Sequence, residues 1–225
     1  SSAPGWMSTM MKTIFQEERG GLLTADRTRD VLDAVVTAAR GCRRILLLPP
    51  DITRLNSGAG EITAEFHRAL SPSADVHIMP TLGTHTPMTD GERLRMFGPD
   101  IPAEDFLVHD WRNSLRDLGT VPGELIREWS EGLLSFDVRV QINERLYDRY
   151  DLILSIGQVV PHEVVGMANY TKNVCVGAGG YELIGKSHFL GAVFGMERIM
   201  GRIHTPVRAL YNHAVSEFMS DLPIL

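Results

Sequence analysis

From Asp26 onward the apolar positions alternate between a helical rhythm and short unbroken runs. Val31, Leu32, Val35, Val36 and Ala39 follow the 3.6-residue period, which predicts a helix with Asp26 as cap and Gly41 as terminator. Arg40, Arg43 and Arg44 then fall near its negative end. Ile45-Leu46-Leu47-Leu48 follows, closed by Pro49-Pro50; a run this apolar suits a strand covered on both faces, as in a parallel sheet. Residues 60–71 read as a second helix with Ile62, Phe66, Ala69 and Leu70 inward, and 76–79 as the next strand. Thr89 and Glu92 have the spacing of a capping box before a short helix through Leu94 and Phe97. Phe106-Leu107-Val108 reads as a third strand.

Between Trp111 and Arg149 the alternation weakens. Val121, the stretch Phe136 to Val140, and Ile142 suggest short, partly antiparallel strands, before residues 151–157 restore the buried-strand signature. Residues 185–201 and 205–219 read as helices. In the latter, Thr205 caps, Pro206 takes the first helical position, and Val207, Leu210, Tyr211, Ala214, Val215 and Phe218 make one stripe. Strand–helix alternation without internal repeats argues for an α/β domain built on a mostly parallel sheet. Functional loops in such sheets gather at the carboxyl ends of the strands, which predicts that loops 49–58, 81–89 and 158–188 lie together.

Composition narrows the classes. The chain has 225 residues, enough to bury a core without disulfides or metal. A net charge of −6 argues against nucleic-acid and anionic-membrane partners while leaving room for a local basic pocket. Cys42 and Cys175 stand alone and read as reduced core thiols. No apolar run has the length of a membrane span, and no secretory signal opens the chain, so a cytoplasmic protein is expected. Residues 1–10 read as a cloning remnant or disordered lead-in, and 11–225 as one α/β domain.

The three loops hold most of the reactive side chains. The first contains Asp51-Ile52-Thr53-Arg54, whose arginine suits a carboxylate or phosphate, or else pairs with Asp51 to shape the turn. The second, Gly83-Thr84-His85-Thr86-Pro87-Met88-Thr89, constrains a histidine; a cap or surface role is its ordinary alternative. The third carries Pro161-His162-Glu163, then Asn169-Tyr170-Thr171-Lys172, then Gly177-Ala178-Gly179-Gly180, then His188. The glycine cluster offers amides to an anion. Lys172 is a nucleophile, a Schiff-base former or a snorkelling surface lysine, and His188 a potential metal ligand. His67, His77, His109, His204 and His213 sit in or beside regular elements and read as structural, and Met196 and Met200 as core filler.

Taken together, these residues occur in one order, with Lys172 ten residues after His162 and sixteen before His188. From about Cys42 onward the set resembles the N-terminal domain of the nickel-pincer lactate racemase family, most specifically in its Gly-Thr-His-x-Pro-Met-Thr motif. The resemblance implies a Rossmann-like, mostly parallel sheet with flanking helices, belonging to a two-domain isomerase whose second domain is not in this chain. It implies a 2-hydroxy acid substrate and a nickel pincer nucleotide (pyridinium-3,5-bisthiocarboxylic acid mononucleotide nickel) attached to Lys172 and made by cofactor-maturation enzymes. By position, His188 would be the nickel ligand, His85 and His162 the paired acid/base residues, Arg54 the grip on the substrate carboxylate, and Asp51 a supporting residue. Two bases on opposite sides of a flat 2-oxo acid would let either enantiomer react, each with a pKa near the working pH.

The sequence departs from the pattern at Asn169-Tyr170-Thr171-Lys172, where the best-known members have Gly-Gly-Arg-Lys, and at Pro161-His162-Glu163-Val164, where aromatic residues are usual. These differences suggest a divergent subgroup whose lactate-like substrate need not be lactate itself. Two other readings stand beside this one: a non-catalytic anion- or nucleotide-binding paralogue, and a metal hydrolase ligated by His85, His162 and His188.

Overall fold

The computed structural model describes residues 25–225; the expectation for residues 1–10 lies outside them. Helix α1 (Ala25–Ala38) leads into strand β1 (Arg44–Leu48), a 3-10 turn (Ile52–Ser57), α2 (Ala59–Leu70), β2 (Asp75–Ile78) and α3 (Asp90–Phe97). A ribbon of β3 (Leu115–Val121) and β4 (Val138–Asn143) is joined through α4 (Gly123–Trp129). Then come β5 (Leu152–Ser155), a two-residue-per-strand hairpin of β6 (Pro161–His162) and β7 (Gly166–Met167), α5 (Thr171–Cys175), α6 (Tyr181–Phe194), α7 (Met196–Ile199) and α8 (Pro206–Phe218).

The sheet order is β2-β1-β5, all parallel, with Ile45 paired to Val76 on one side and to Leu152 on the other. Central β1 is apolar at every position from Ile45 to Leu48 because both of its faces are covered. Ile45 and Leu47 pack with Phe66, Leu70, Val76, Ile78, Leu152 and Leu154 towards α1 and α2. Leu46 and Leu48 face the larger cluster formed with Ile153, the β3–β4 ribbon, α5, α6 and α8. Burial on that scale, at roughly 25 cal/mol per Å² of apolar surface, is what holds the layers together. The last residues add to the edge of β5, where Ile153 N donates to Pro223 O and Leu225 N to Ile153 O, each at 2.8 Å. Among the described residues no helix is long and apolar enough to cross a membrane.

The capping box at Thr89 and Glu92 forms, and Thr205 caps α8 with Pro206 in its first turn. Several expectations need correction. Asp26 falls within the first turn of α1 rather than capping it. Ala69 is exposed; Thr63 and His67 are buried on α2 instead. Residues 106–108 make no strand: Phe106 forms one parallel bridge to Ile78, and Leu107 N donates to Ile78 O at 2.8 Å. The chain then leaves the sheet and buries His109 between Gly179 O (3.1 Å) and the Asn143 amide (2.9 Å). The helix expected over 185–201 begins at Tyr181 and breaks at Gly195, whose φ is +102°. Met196 and Met200 are more than half exposed on the short helix beyond that break, so they are not core residues. Cys175 is buried as expected, but Cys42 only half so; both are free thiols.

Candidate functional site

The order β2-β1-β5 makes the chain diverge from β1 towards both neighbours, opening a crevice at the carboxyl ends of the strands. All three loops meet there around a cavity of about 290 Å³. Asp51, Arg54, His85, His162, Lys172 and His188 all line it.

Asp51 is the buried anchor. It caps the 3-10 turn after β1, accepting from Thr53 N at 3.1 Å and from the Thr53 hydroxyl through Oδ1. Its other oxygen lies 2.6 Å from His85 Nδ1. A carboxylate accepts, so Nδ1 carries the proton and the neutral ring keeps its lone pair on Nε2, on a side chain 59% exposed. The Asp51–Arg54 pair considered from sequence does not form. Arg54 is exposed, and among the described ion pairs no carboxylate meets it.

His162 has the opposite tautomer. Buried in the β6–β7 hairpin, it accepts the Val164 N–H on Nδ1 at 3.1 Å, which leaves the proton of the neutral ring on Nε2. Burial first, then the Lys172 charge, pushes its pKa down to about 4, although Glu163 opposes this from 3.7 Å. The sequence reading that both histidines titrate near neutrality therefore fails for His162 in this form of the protein.

Lys172 is the second residue of α5 and is drawn into the cavity wall. Burial, followed by the Arg54 charge, holds its ammonium below the ordinary lysine range, so it is not a snorkelling surface lysine. His188 projects from α6 with Nδ1 2.7 Å from Ile184 O. A carbonyl only accepts, so the neutral ring's lone pair is on Nε2, the arrangement that prepares an imidazole for a metal.

Sequence reading missed the residue that ties these parts together. Asn173 Nδ2 donates to Leu48 O (3.1 Å) and Ser155 Oγ (2.9 Å), at the ends of β1 and β5. Its Oδ1 accepts from the Thr81 hydroxyl, just past β2, at 3.1 Å. One amide thus joins three strand ends to the helix that bears Lys172. No local pattern marks it, because its partners are up to 125 residues away.

The glycine cluster is not an anion cradle. The amides of Ala178, Gly179 and Gly180 donate to Val174 O, Val176 O and Gln141 O. A Cβ at Gly177 would lie 2.3 Å from Asn173 O, and one at Gly179 would lie 1.9 Å from Cys175 O. These glycines serve close packing. Nor do the histidines form a metal triad: among the described residues no group of three or more His, Cys, Asp or Glu side chains could hold a metal ion.

The model of the lactate racemase N-terminal domain matches residues 27–199. The chain belongs to that family. No curated protein matches the sequence. Among solved structures, a crystal structure of a Thermotoga maritima protein is similar at 24% identity with a TM-score of 0.78, covering 86% of this chain and 47% of its own. The lactate racemase apoprotein from Thermoanaerobacterium thermosaccharolyticum is similar at 22% identity with a TM-score of 0.60, covering 86% of this chain and 43% of its own. At such identities the likeness is one of fold. The chain spans less than half the length of either structure, and the family's N-terminal domain accounts for the whole of the cavity just described except for its support from α8.

Proposed function

We propose that this chain is the cofactor-anchoring half of a 2-hydroxy-acid racemase or epimerase, acting on a lactate-like substrate. The observation that carries this reading is the meeting of Lys172, His188, His85, His162 and Arg54 around one cavity at the switch point of the sheet.

The residues fit a nickel pincer nucleotide. Lys172 is a half-buried amine with a depressed pKa, suited to covalent attachment. His188 offers one imidazole lone pair, and among the described residues no cluster of three protein ligands competes with it, as suits a metal held mainly by the sulfurs of an organic group. Asn169, which lines the cavity, has a buried Oδ1 with no hydrogen-bond partner and can receive a polar ligand. When bound, the group would supply hydride acceptance and return at the substrate's 2-carbon.

The rest falls to the protein's own side chains. Arg54, exposed and with no carboxylate partner among the described residues, can take the substrate carboxylate in a two-point contact. His85 Nε2, its ring fixed by Asp51, is placed to take the proton from the 2-hydroxyl. His162, with its proton on Nε2, offers the substrate oxygen a hydrogen bond when neutral; as an imidazolium it is the acid that returns a proton, the role His85 takes when the other enantiomer reacts. Glu163 puts a carboxylate at the cavity wall, which favours substrates with polar rather than anionic 3-substituents.

The test is to produce the full-length enzyme together with cofactor-maturation enzymes, then measure nickel, the peptide mass at Lys172 and interconversion of 2-hydroxy acid enantiomers. The expected result is one nickel per chain, a nucleotide-sized adduct on Lys172 and racemisation. Fully active enzyme with unmodified Lys172 would overturn the reading. Full loading without turnover of any 2-hydroxy acid would instead identify a binding paralogue.

A further inference from the structure

Arg208, in the first turn of α8, is only 7% exposed, and no carboxylate pairs with it among the described residues. A buried unpaired cation is costly, so its hydrogen bonds must explain its presence. They all go to one short stretch. Nη2 donates to Met167 O, and Nη1 donates to Asn169 O at 3.2 Å and to the Thr171 hydroxyl at 2.8 Å. One turn along α8, Asn212 Oδ1 accepts from that same hydroxyl at 2.9 Å.

The stretch so held contains two consecutive non-glycine residues in the left-handed region, Asn169 at φ +66° and Tyr170 at φ +55°. Such conformations persist only where the surroundings over-determine them. Lys172 lies two residues further on, in the first turn of α5. Relaxing either φ to an ordinary value would redirect the chain entering that turn. The strain, the buried cation and the lysine therefore form one device.

We propose that Arg208 is a positioning residue that clamps the Asn169–Tyr170 step from α8 and thereby fixes where the Lys172 amine sits in the cavity. This rests on the reading of Lys172 as the attachment site. The Arg208 charge also adds to the depression of the Lys172 pKa, after burial and Arg54. Arg54, Glu163 and Asp51, which bear on the same amine, are unchanged in the variants below.

Competitive acetylation of the unloaded chain tests it. The lysine nitrogen attacks acetic anhydride, a C–N bond forms, acetate leaves with the electron pair, and the amine proton passes to buffer. Peptide mass gives the pH midpoint of Lys172 against Lys186, which pairs with Glu182 at 2.6 Å. In Arg208→Met the Lys172 midpoint is expected to shift upward towards an ordinary lysine, with Lys186 unmoved. An unchanged midpoint in folded R208M overturns the proposal, since both the clamp and the charge would then be without effect. Because loss of the charge alone would also raise the R208M midpoint, Arg208→Lys separates the two, since it keeps the charge but loses the fork that reaches three acceptors. An upward shift in R208K supports the clamp, and a native midpoint overturns it. Because no cofactor is involved, a failure here is distinct from finding active enzyme with unmodified Lys172.

Discussion

Asp51 Oδ2 lies 2.6 Å from Nδ1 of His85, joining the loop after β1 to the loop after β2. The contact sets which nitrogen of the ring is free. Asp51→Asn would present an amide that can donate to Nδ1 and so favour the other tautomer. In the loaded full-length enzyme this substitution is expected to lower kcat by about 10²–10⁴-fold, the range general acid–base groups contribute. Nickel content and the Lys172 adduct should be unchanged. Parallel loss of nickel and activity would show that Asp51 serves loading rather than proton transfer.

His162 should give the protein an acid-sensitive limb. Its folded pKa of about 4 lies below the ordinary 6.5, so between those values the unfolded chain binds more protons and stability rises with pH. The contribution is complete above about 6.5 and is lost as pH falls through about 4; at 1.36 kcal/mol per unit it amounts to at most about 3 kcal/mol. Urea midpoints for the native protein and His162→Gln should therefore diverge as the pH falls across that window. Parallel curves would contradict the assignment.

The Lys172 charge is the second largest cause of that depression, after burial. Lys172→Met should therefore raise the His162 pKa, as read from the imidazole resonances in a pH titration. Acylation removes the same charge, so loading the enzyme should move His162 in the same direction, towards neutrality. An unmoved resonance in K172M would rule out the Lys172 charge as a cause.

Two glycines separate packing from propensity. Gly179→Ala would press its methyl to within 1.9 Å of Cys175 O and should destabilise by about 1–3 kcal/mol or more. Gly185→Ala, inside α6 with nothing within 4 Å, should stabilise by about 0.5–1 kcal/mol. Thermal melting distinguishes them by sign, and equal shifts would refute the packing role given to Gly179.

Local rules made the main elements legible. Ile45 to Leu48 announced a strand covered on both faces, and Thr205-Pro206 placed the start of α8 to the residue. The convergence of the three loops followed from the behaviour of parallel sheets rather than from any one motif. What escaped was set by contacts distant in sequence. Phe106 to Val108 had strand composition, yet burying His109 against Gly179 draws the chain away after one bridge. Met196 and Met200 kept helical spacing, but the break at Gly195 turns them outward. Gly177 to Gly180 looked like a ligand loop, whereas neighbours as remote as Thr81 and Gln141 are what require glycine there. Asn173 and Arg208 carry no signal of their own, since each is defined by partners that only the fold supplies.

The amide of Asn173 bears on dynamics as well as architecture. With Leu48, Ser155 and Thr81 bound to one side chain, the floor of the cavity has no low-energy opening of its own. Backbone amides around Leu48 and Val174 should exchange with solvent only through global unfolding, whereas those of exposed Thr84 and Thr86 should exchange far faster. A ligand meeting such a floor loses little affinity to ordering it, and most of the entropy of binding then falls on the exposed side chains, Arg54 above all.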